Sequence, residues 1–253
     1  ACPLDAKGRT LVEPLKPPLP EAVRAALADI TLAEDRNDPT IEPDWGEPGL
    51  TPAEKIYGWN AIEVLAFTTG SPDAPVNAIP PTAKATMQLR FVVDTDPKTI
   101  LSAVRAHLDA HGLRRVAVAP GRMATFTATR LDPDDPWVGW ALASIARTTG
   151  KKPALLPNLG GSLPNDVFAD ILGLPTIWVP HSYPSCSQHA PDEHLLAPLA
   201  REALRIMAGL FYDLGEDGTR IVKERSQCPI RPRMCSPGWR RAPERWGPCF
   251  IVW

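Results

Sequence analysis

Proline sets an upper limit on the length of the helices and strands that this chain can form. Thirty of its 253 residues are proline, about twice the usual share of ~5%, and each one fixes its own φ and removes a backbone N–H donor. The sequence therefore predicts many short elements joined by rigid turns. Hydrophobic residues make up 44% of the chain and charged residues 22%, a composition that supplies a buried core for one large domain or two smaller ones.

Charge, hydropathy and cysteine spacing argue against several functional classes. The net charge of −2 gives no electrostatic basis for binding nucleic acid. Residues 1–50 are interrupted by prolines, contain no apolar run near the ~18 residues of a membrane span, and do not resemble a signal peptide. The five cysteines show no CxxC spacing, which favours a reducing compartment and predicts a cytoplasmic protein. Because the chain opens at Ala1 and its first methionine is Met87, we expect a processed chain or a fragment.

Residues 60–129 combine strand and helix signals in an α+β arrangement. Asp96 and Pro97 are predicted to start a helix that Gly112 ends, and a shorter helix is predicted at 19–29. The second strand alternates apolar and polar residues, which predicts one buried and one polar face. The expected structure is a sheet with helices on one face. The predicted strands occupy residues 61–67, 85–93, 116–118 and 125–129.

Residues 130–215 alternate helix and strand, which is typical of an α/β layered domain. The first helix is predicted to begin at Asp135 and Pro136 and to end at Gly150. A long amphipathic helix completes the region and is predicted to end at Gly215. Between these helices we expect, in order, a strand, a loop, a helix and a strand at residues 154–156, 158–162, 164–173 and 176–179.

Residues 216–253 differ in composition from the rest of the chain. They are rich in basic residues, proline, cysteine and tryptophan, and they show no helical or strand periodicity. We predict an irregular, disordered tail. A basic, tryptophan-bearing interaction tail is the alternative.

Histidine is the residue type with the most direct potential for metal chemistry. His107 and His111 lie on the helix that Gly112 ends, where a cation favours the helix dipole, so we expect a structural role for both. His189 and His194 are five residues apart with a proline between them, which excludes the HExxH zinc motif. His189 is predicted to lie in a loop after a buried strand, where open α/β sheets bind ligands, and His194 in the first turn of the next helix. One imidazole does not make a zinc site, because zinc needs at least three protein ligands.

The segment Gly160-Gly161-Ser162 joins a predicted strand to a helix start. Its backbone N–H groups can hold a carboxylate or an oxyanion, and a simple tight turn is the alternative. The sequence contains neither a GxSxG nucleophile elbow nor a GxxxxGK[ST] phosphate loop, so these two enzyme classes are not indicated.

Three motifs in order carry a resemblance to a known family. Residues 76–80 (VNAIP) resemble the N-x-I-P turn of the co-catalytic zinc peptidases, and Arg90 follows at the end of the next strand. Residues 160–164 (GGSLP) resemble the GGSxP loop of their dipeptidase-like branch, and residues 189–193 (HAPDE) resemble the final H-x-P-[ND]-E motif. Residues 61–215 are therefore similar to the family that includes carboxypeptidase G, aminoacylase, acetylornithine deacetylase and the carnosinase-type dipeptidases.

The resemblance implies a role for each residue that matches a motif. His189 is expected to be the last ligand of a two-zinc centre. Asn77 and Arg90 are expected to face the substrate, with Arg90 holding its carboxylate through a bidentate pair. The other substrate-binding residues of the pocket would be Gly160, Gly161 and Ser162. The implied reaction is hydrolysis of the amide bond of a dipeptide or an N-acyl amino acid by a metal-activated water.

The same resemblance assigns domains and partners. Residues 1–129 are expected to form part of a lid, or dimerisation, domain with a proline-rich N-terminal insert. Residues 130–215 are expected to be the C-terminal part of an α/β zinc-hydrolase catalytic domain. The implied partners are a small peptide or N-acyl amino acid substrate and a second copy of the chain, bound through the lid domain.

Residues 1–60 contain none of the functional elements that precede the matched region in this family. These are the HxD ligand pair, a bridging aspartate, a Glu-Glu pair and a lid histidine. We therefore expect a fragment of a metallopeptidase that is inactive by itself. The alternative is a non-catalytic module that dimerises through the edge of the lid sheet, and zinc binding distinguishes the two.

Overall fold

The computed structural model describes residues 2–32, 42–121, 127–161, 163–181, 183, 186–227 and the backbone of 249–251. The helices are α1 (Glu21–Ala28), α2 (Pro52–Tyr57), α3 (Ile100–Ala110), α4 (Pro136–Thr149) and α5 (Ala197–Gln227). The strands are β1 (Ala61–Thr69), β2 (Ala83–Arg90), β3 (Thr176–Trp178) and β4 (Cys249–Ile251). None of the helices in this described part has both the length and the hydropathy needed to cross a lipid bilayer.

The chain forms two compact units. The first consists of Ala1–Leu19 and Pro39–Ala128, and the second of Pro20–Asp38 and Thr129–Trp253. The division after Ala128 lies one residue before the predicted limit. Helix α1 belongs to the second unit, and Asp29 at its end forms an exposed ion pair with Lys152 at 2.8 Å.

A buried asparagine holds the start of β1 in the first unit. Asn60 is only 4% exposed. Its Nδ2 donates to the carbonyl oxygen of Leu15 at 2.7 Å and to Oγ1 of Thr95 at 2.9 Å, and its Oδ1 accepts from the N–H of Val92 at 2.8 Å. One side chain therefore joins the N-terminal segment, the start of β1 and the residues that follow β2.

Strands β1 and β2 pair antiparallel as a hairpin. Ala61 lies opposite Arg90 and Thr69 opposite Ala83, with one shift of register near the middle of β1. β2 ends at Arg90 instead of the predicted residue 93, because Val92 donates its N–H to Asn60 and not to a neighbouring strand.

The hairpin does not have the single buried face that the alternation of β2 predicts. The half-buried residues of β2 are consecutive instead of alternate: they are Met87, Gln88 and Leu89. Large apolar residues of β1 are exposed as well, with values of 53% for Val64, 58% for Leu65 and 65% for Phe67. Alternation makes such a face possible, but burial also requires an element that covers it.

Helix α3 begins at Ile100, three residues later than predicted. The carboxylate of Asp96 accepts from the N–H of Lys98 at 2.9 Å in a turn before the helix. Thr99 is the N-cap residue, so the predicted capping role of Asp96 is wrong. The predicted end is confirmed, since Gly112 follows the last turn with a left-handed φ of 75°.

Three short predicted strands do not form in the described part of the chain. Residues 116–118, 127–129 and 154–156 have no strand pairing, and residues 125 and 126 lie outside the described residues. Proline flanks two of these runs, at Pro120 and Pro153. Because proline has no N–H for a ladder and such runs are only three residues long, hydrophobicity alone does not make them strands.

Helices α4 and α5 enclose the main core of the second unit. The buried cluster consists of Trp137, Trp140, Ala141, Leu210 and Ile221. The rings of Trp137 and Trp140 meet edge-on with centroids 5.4 Å apart, a geometry that aromatic pairs favour. A Cβ atom at Gly209 would collide with the side chain of Thr148, so glycine permits a close approach of α5 to α4 at this point.

Helix α4 has the predicted start and end. Asp135 is its N-cap and accepts from the N–H of Trp137 at 3.0 Å. Gly150 follows the last turn with a left-handed φ of 70°. The second carboxylate oxygen of Asp135 accepts from Nε of Arg225 at 2.8 Å, which ties the end of α5 to the start of α4.

Helix α5 continues to Gln227, so the prediction that Gly215 ends it is wrong. The additional turns bring Ile221 into the core at 2% exposure. Burying such a side chain contributes about 1.5–3 kcal/mol, more than the ~1 kcal/mol that glycine costs inside a helix. Residues 216–227 are therefore helical and not irregular.

Further along, the backbone of β4 pairs parallel with β3, and residues 228–248 lie outside the described part.

Candidate functional site

The loop that follows β3 closes on itself through backbone hydrogen bonds. The N–H of His194 donates to the carbonyl oxygen of Cys186 at 3.0 Å, and the N–H of Ala190 donates to that of Ser187 at 2.9 Å. Cys186 is buried, with 4% exposure, so one end of the loop is anchored in the second unit. We call residues 186–194 the histidine loop.

Three residues of the histidine loop, none of them glycine, adopt left-handed backbone angles. The φ values are 57° at Ser187, 63° at His189 and 62° at Asp192. Each such residue costs about 1–3 kcal/mol and persists only where the surrounding contacts hold it. Strain of this kind concentrates at functional sites, so the backbone itself supports a functional role for this loop.

His189 lies in the loop, as predicted, and its side chain is exposed. Its backbone N–H donates to Oε2 of Glu193 at 3.3 Å. The glutamate of the HAPDE sequence therefore closes the turn that carries the histidine. This contact gives a structural reason for the four-residue spacing between the two side chains.

The described residues do not form a zinc site by themselves. Among them, no group of three or more His, Cys, Asp and Glu side chains is close enough together to hold one ion. A zinc site needs at least three protein ligands, and His189 supplies one. The two-zinc centre that the resemblance implies is therefore not complete within this part of the chain.

His194 is a further candidate, to which the sequence analysis gave no functional role. It lies three residues before α5, which begins at Ala197, so its predicted position in the first helical turn is wrong. Its Nδ1 is 2.8 Å from the carbonyl oxygen of Asp192. A carbonyl only accepts, so Nδ1 carries the proton and Nε2 of the neutral ring keeps its lone pair. The ring of Tyr183 packs edge-on against the imidazole at 6.1 Å.

Residues 160–164, which we call the glycine loop, precede a π-helical turn at Val167–Ile171. Gly160 and Gly161 are exposed, and Ser162 lies outside the described residues. A Cβ atom at Gly161 would meet no atom within 4 Å, so packing inside the described chain does not require glycine there. The absence of a side chain leaves space for a molecule to approach this backbone.

Asn165 connects the glycine loop to β3. Its Nδ2 donates to Oγ1 of Thr129 at 2.5 Å, and its Oδ1 accepts from Nε1 of Trp178 at 3.1 Å. The sequence reasoning did not single out this residue. Its position directly after Leu163 and Pro164, the last two residues of the glycine loop, could have identified it from the sequence.

Asn77 lies in the loop that joins β1 to β2. The loop is exposed, and the N–H of Ala78 donates to the carbonyl oxygen of Val76 at 2.8 Å, which makes a tight turn centred on Asn77. Ile79 is 95% exposed. The motif that carries Asn77 therefore protrudes from the hairpin of the first unit.

Arg90 ends β2 and forms an ion pair with Glu63 of β1. The distance from Nε to Oε1 is 3.6 Å, and both side chains are about half exposed. The guanidinium is already close to a carboxylate, which is the chemistry expected of it. A substrate carboxylate would compete with Glu63 for this arginine.

The predicted site residues are divided between the two units. Asn77 and Arg90 belong to the first unit, whereas Gly160, Gly161 and His189 belong to the second. The second unit thus carries the glycine loop and the histidine loop, on either side of β3 in the sequence.

Solved structures with a similar fold are peptidases. The M20 family metallo-carboxypeptidase Sso-CP2 from Sulfolobus solfataricus has a TM-score of 0.59 at 19% identity over 81% of this chain. The chain shares the fold of this peptidase. Dug1p, a dipeptidase from Saccharomyces cerevisiae, gives 0.56 at 18% over 89%, and human carnosine dipeptidase 1 gives 0.58 at 17% over 84%.

The similarity to the M20 fold confirms the predicted fold class. The chain spans about half the length of these peptidases: 48% of Sso-CP2 and 47% of each of the other two. No protein-family model and no curated protein matches the sequence. Fold similarity of this kind does not by itself assign an activity, so the function rests on the site.

Proposed function

We propose that this chain is part of a metal-dependent peptidase that hydrolyses the amide bond of a dipeptide or an N-acyl amino acid. The observation that carries the proposal is the strained, self-closed histidine loop, which exposes His189 in the connection that follows β3. In open α/β sheets, binding sites lie beyond the carboxyl ends of the strands. The peptidase folds of the three similar structures agree with this reaction class.

His189 would be one ligand of a two-zinc centre, and the other ligands would come from residues outside those described. Two findings support this division. The described residues contain no complete ligand group, and the chain spans about half the length of the peptidases that share its fold. Under this proposal the described residues by themselves neither hold zinc tightly nor hydrolyse peptides.

Arg90 would bind a carboxylate group, and the glycine loop would bind a carbonyl or carboxylate group. The guanidinium of Arg90 is about half exposed and lies 3.6 Å from a carboxylate oxygen of Glu63, so a substrate carboxylate would have to displace this pairing. Gly161 supports the role of the glycine loop because its surroundings are open. Asn77, Gly160 and Ser162 would complete the substrate contacts.

The exposed hairpin favours a second candidate function, that of an association module. Val64, Leu65 and Phe67 are each more than half exposed, and such residues are candidates for an interface between two copies of the chain. A homodimer through β1 and β2 is compatible with both functions. A module of this kind needs no metal, whereas a peptidase does.

A cytoplasmic location is part of the proposal. The cysteines whose side chains are described, Cys2 and Cys186, are both free thiols. Unpaired cysteines are expected in a reducing compartment.

The test is hydrolysis by the protein encoded by the complete open reading frame, measured with a panel of dipeptides and N-acyl amino acids. We expect activity that a chelator removes. His189→Ala should lower kcat/KM by at least about 100-fold, because even residues that only support a metal ligand are worth 10–100-fold. His181→Ala, which alters a half-buried histidine just before the histidine loop, is the matched control and should retain most of the activity.

Activity that survives His189→Ala would contradict the role of this histidine. A complete protein that forms dimers in sedimentation experiments but has neither bound metal nor hydrolytic activity would favour the association module.

A further inference from the structure

Two histidines lie side by side at the C-terminal end of α3. His107 and His111 are four residues apart, so their side chains project from the same face of the helix. Their ring centroids are 4.4 Å apart, and the ring planes are inclined by 40°. This pair belongs to the first unit and to none of the motifs that support the proposed function.

The orientation of His111 leaves one ring nitrogen available as a ligand. Its Nδ1 lies 2.8 Å from the carbonyl oxygen of His107. A carbonyl only accepts hydrogen bonds, so Nδ1 carries the proton, and Nε2 of the neutral ring keeps its lone pair. A ring N–H that donates to a backbone carbonyl is the usual support of a metal-binding histidine.

The ring of His107 contains a buried nitrogen without a hydrogen-bond partner. Its Nε2 is shielded from solvent and contacts no donor or acceptor among the described residues. Buried polar atoms normally have a partner, so each exception calls for an explanation such as a bound ion. A shared metal ion would satisfy this nitrogen together with Nε2 of His111.

We propose that His107 and His111 form a two-histidine chelate for a divalent late first-row transition metal, with copper the most tightly bound. Metal–imidazole bonds are about 2.0–2.1 Å long, so two rings with centroids 4.4 Å apart are close enough to share one ion. Water completes the coordination, which suits the tetragonal geometry of Cu²⁺ better than a structural zinc site. Copper also stands at the top of the affinity order for divalent ions.

The position of the pair at the C-terminal end of α3 favours a cation. The last carbonyl groups of a helix carry partial negative charge, and His111 is the C-cap residue of α3. The nearest acidic residue along the helix, Asp109, is engaged by Arg105 at 2.8 Å. Two neutral imidazoles are therefore the ligands, and Asp109 is not.

The experiment is a Cu²⁺ titration of the tag-free chain by calorimetry, with electron paramagnetic resonance of the loaded protein. A Cys2→Ser background removes the exposed thiol of Cys2, which would compete for copper. We expect each chain to bind one Cu²⁺ ion tightly, with a paramagnetic resonance signal that shows coupling to two imidazole nitrogens. His111→Ala should weaken the affinity for Cu²⁺ about 100-fold or more, because binding through two linked contacts raises the affinity by 10²–10⁴ over a single contact. His181→Ala is the matched control and should bind as the parent does.

Because His111 is exposed, its replacement should leave the fold intact, as circular dichroism would verify. An unchanged affinity in His111→Ala, or a resonance signal without two nitrogens, would overturn the proposal. Peptidase activity is not an arm of this test, so its result is independent of the proposed function.

Discussion

The helix pair α4–α5 buries a cluster of large apolar side chains within the described chain, whereas the hairpin of the first unit leaves its large apolar side chains exposed. Trp137 and Leu210 lie at 1% and 0% exposure between α4 and α5. In β1 and its loop, Phe67 is 65% exposed and Ile79 95%. The difference is that α4 has a closely packed partner helix, whereas no described element packs extensively on the hairpin.

This difference separates two uses of apolar residues. In the helix pair they provide folding free energy, at about 25 cal/mol per Å² removed from water. In the hairpin they provide little until another surface covers them, and exposed apolar groups of this size are typical of interaction sites. Substitutions in the helix pair should therefore change stability, and those in the hairpin should change association.

The largest effect is expected from the tryptophan at the centre of the helix pair. Trp137→Ala should lower the free energy of unfolding by about 3–5 kcal/mol, because it removes a large buried side chain and leaves a cavity. Phe67→Ala, the matched aromatic substitution in the hairpin, should change it by less than about 0.5 kcal/mol. Urea unfolding of both variants measures the contrast. Equal losses would show that the hairpin is buried in solution.

The next effect concerns the part of α5 beyond Gly215. Ile221→Ala should lower the free energy of unfolding by about 2–5 kcal/mol, since Ile221 is 2% exposed. Val222→Ala, one position along and 48% exposed, should change it by about 0.5 kcal/mol or less. Thermal and urea unfolding report both values. Two small effects would mean that the last turns of α5 do not belong to the core.

A smaller loss is expected from the polar anchor of the first unit. Asn60→Ala removes three hydrogen bonds and leaves their backbone partners, at Leu15 and Val92, buried without one. A cost of about 1–3 kcal/mol follows. Asn77→Ala, in the exposed turn, is the control and should be close to neutral. If Asn60→Ala were also neutral, the anchor would not hold the hairpin in the first unit.

The smallest change in the free energy of unfolding is expected from an ion pair between α4 and α5 whose contribution depends on pH. The buried hydroxyl of Ser144 and the guanidinium of Arg147, 2.7 Å from Asp213, hold the pKa of Asp213 below its ordinary value. A lowered pKa contributes stability above the unfolded value of ~3.9, and the contribution disappears as pH falls through the lower folded value.

Asp213→Asn should therefore cost about 0.5–1 kcal/mol at neutral pH, with the difference from the parent shrinking below pH ~4. Glu216→Gln, an exposed change on the same helix, removes the same charge without this partner and is the control. Urea unfolding at several pH values measures both. A difference that grows as pH falls would have the opposite sign to that expected.

Local signals in the sequence predicted the elements that depend on local chemistry. Asp135 and Gly150 bound α4 because an aspartate caps the first turn and a glycine adopts the left-handed angle after the last. The capping box of Thr51 and Glu54, which starts α2, was an equally available signal that the sequence reasoning did not use.

Tertiary contacts account for the errors. Gly215 has the local character of a helix end, but burial of Ile221 and the pairing of Arg225 with Asp135 extend α5 past it. Alternation in β2 predicts a buried face, yet no described helix packs extensively on the hairpin to cover it. Residues 116–118 and 154–156 have strand-like composition without a strand to pair with. In each case the missing information lies far away in the sequence.

For the candidate site, the sequence motifs identified the residues but not their arrangement. The HAPDE motif drew attention to His189, and the structure adds the strained backbone and the contact to Glu193 that present it. The tautomer of His194 and the network of Asn165 depend on contacts that no spacing rule encodes.

Zinc content is the most direct test of the proposal that the histidine loop serves a metal-dependent peptidase. The protein from the complete open reading frame would be loaded with zinc, desalted, and analysed by mass spectrometry for metal per chain, beside its His189→Ala variant. We expect two zinc ions per chain in the parent and at most one in the variant. Equal zinc content in the two proteins, or none in either, would contradict the account.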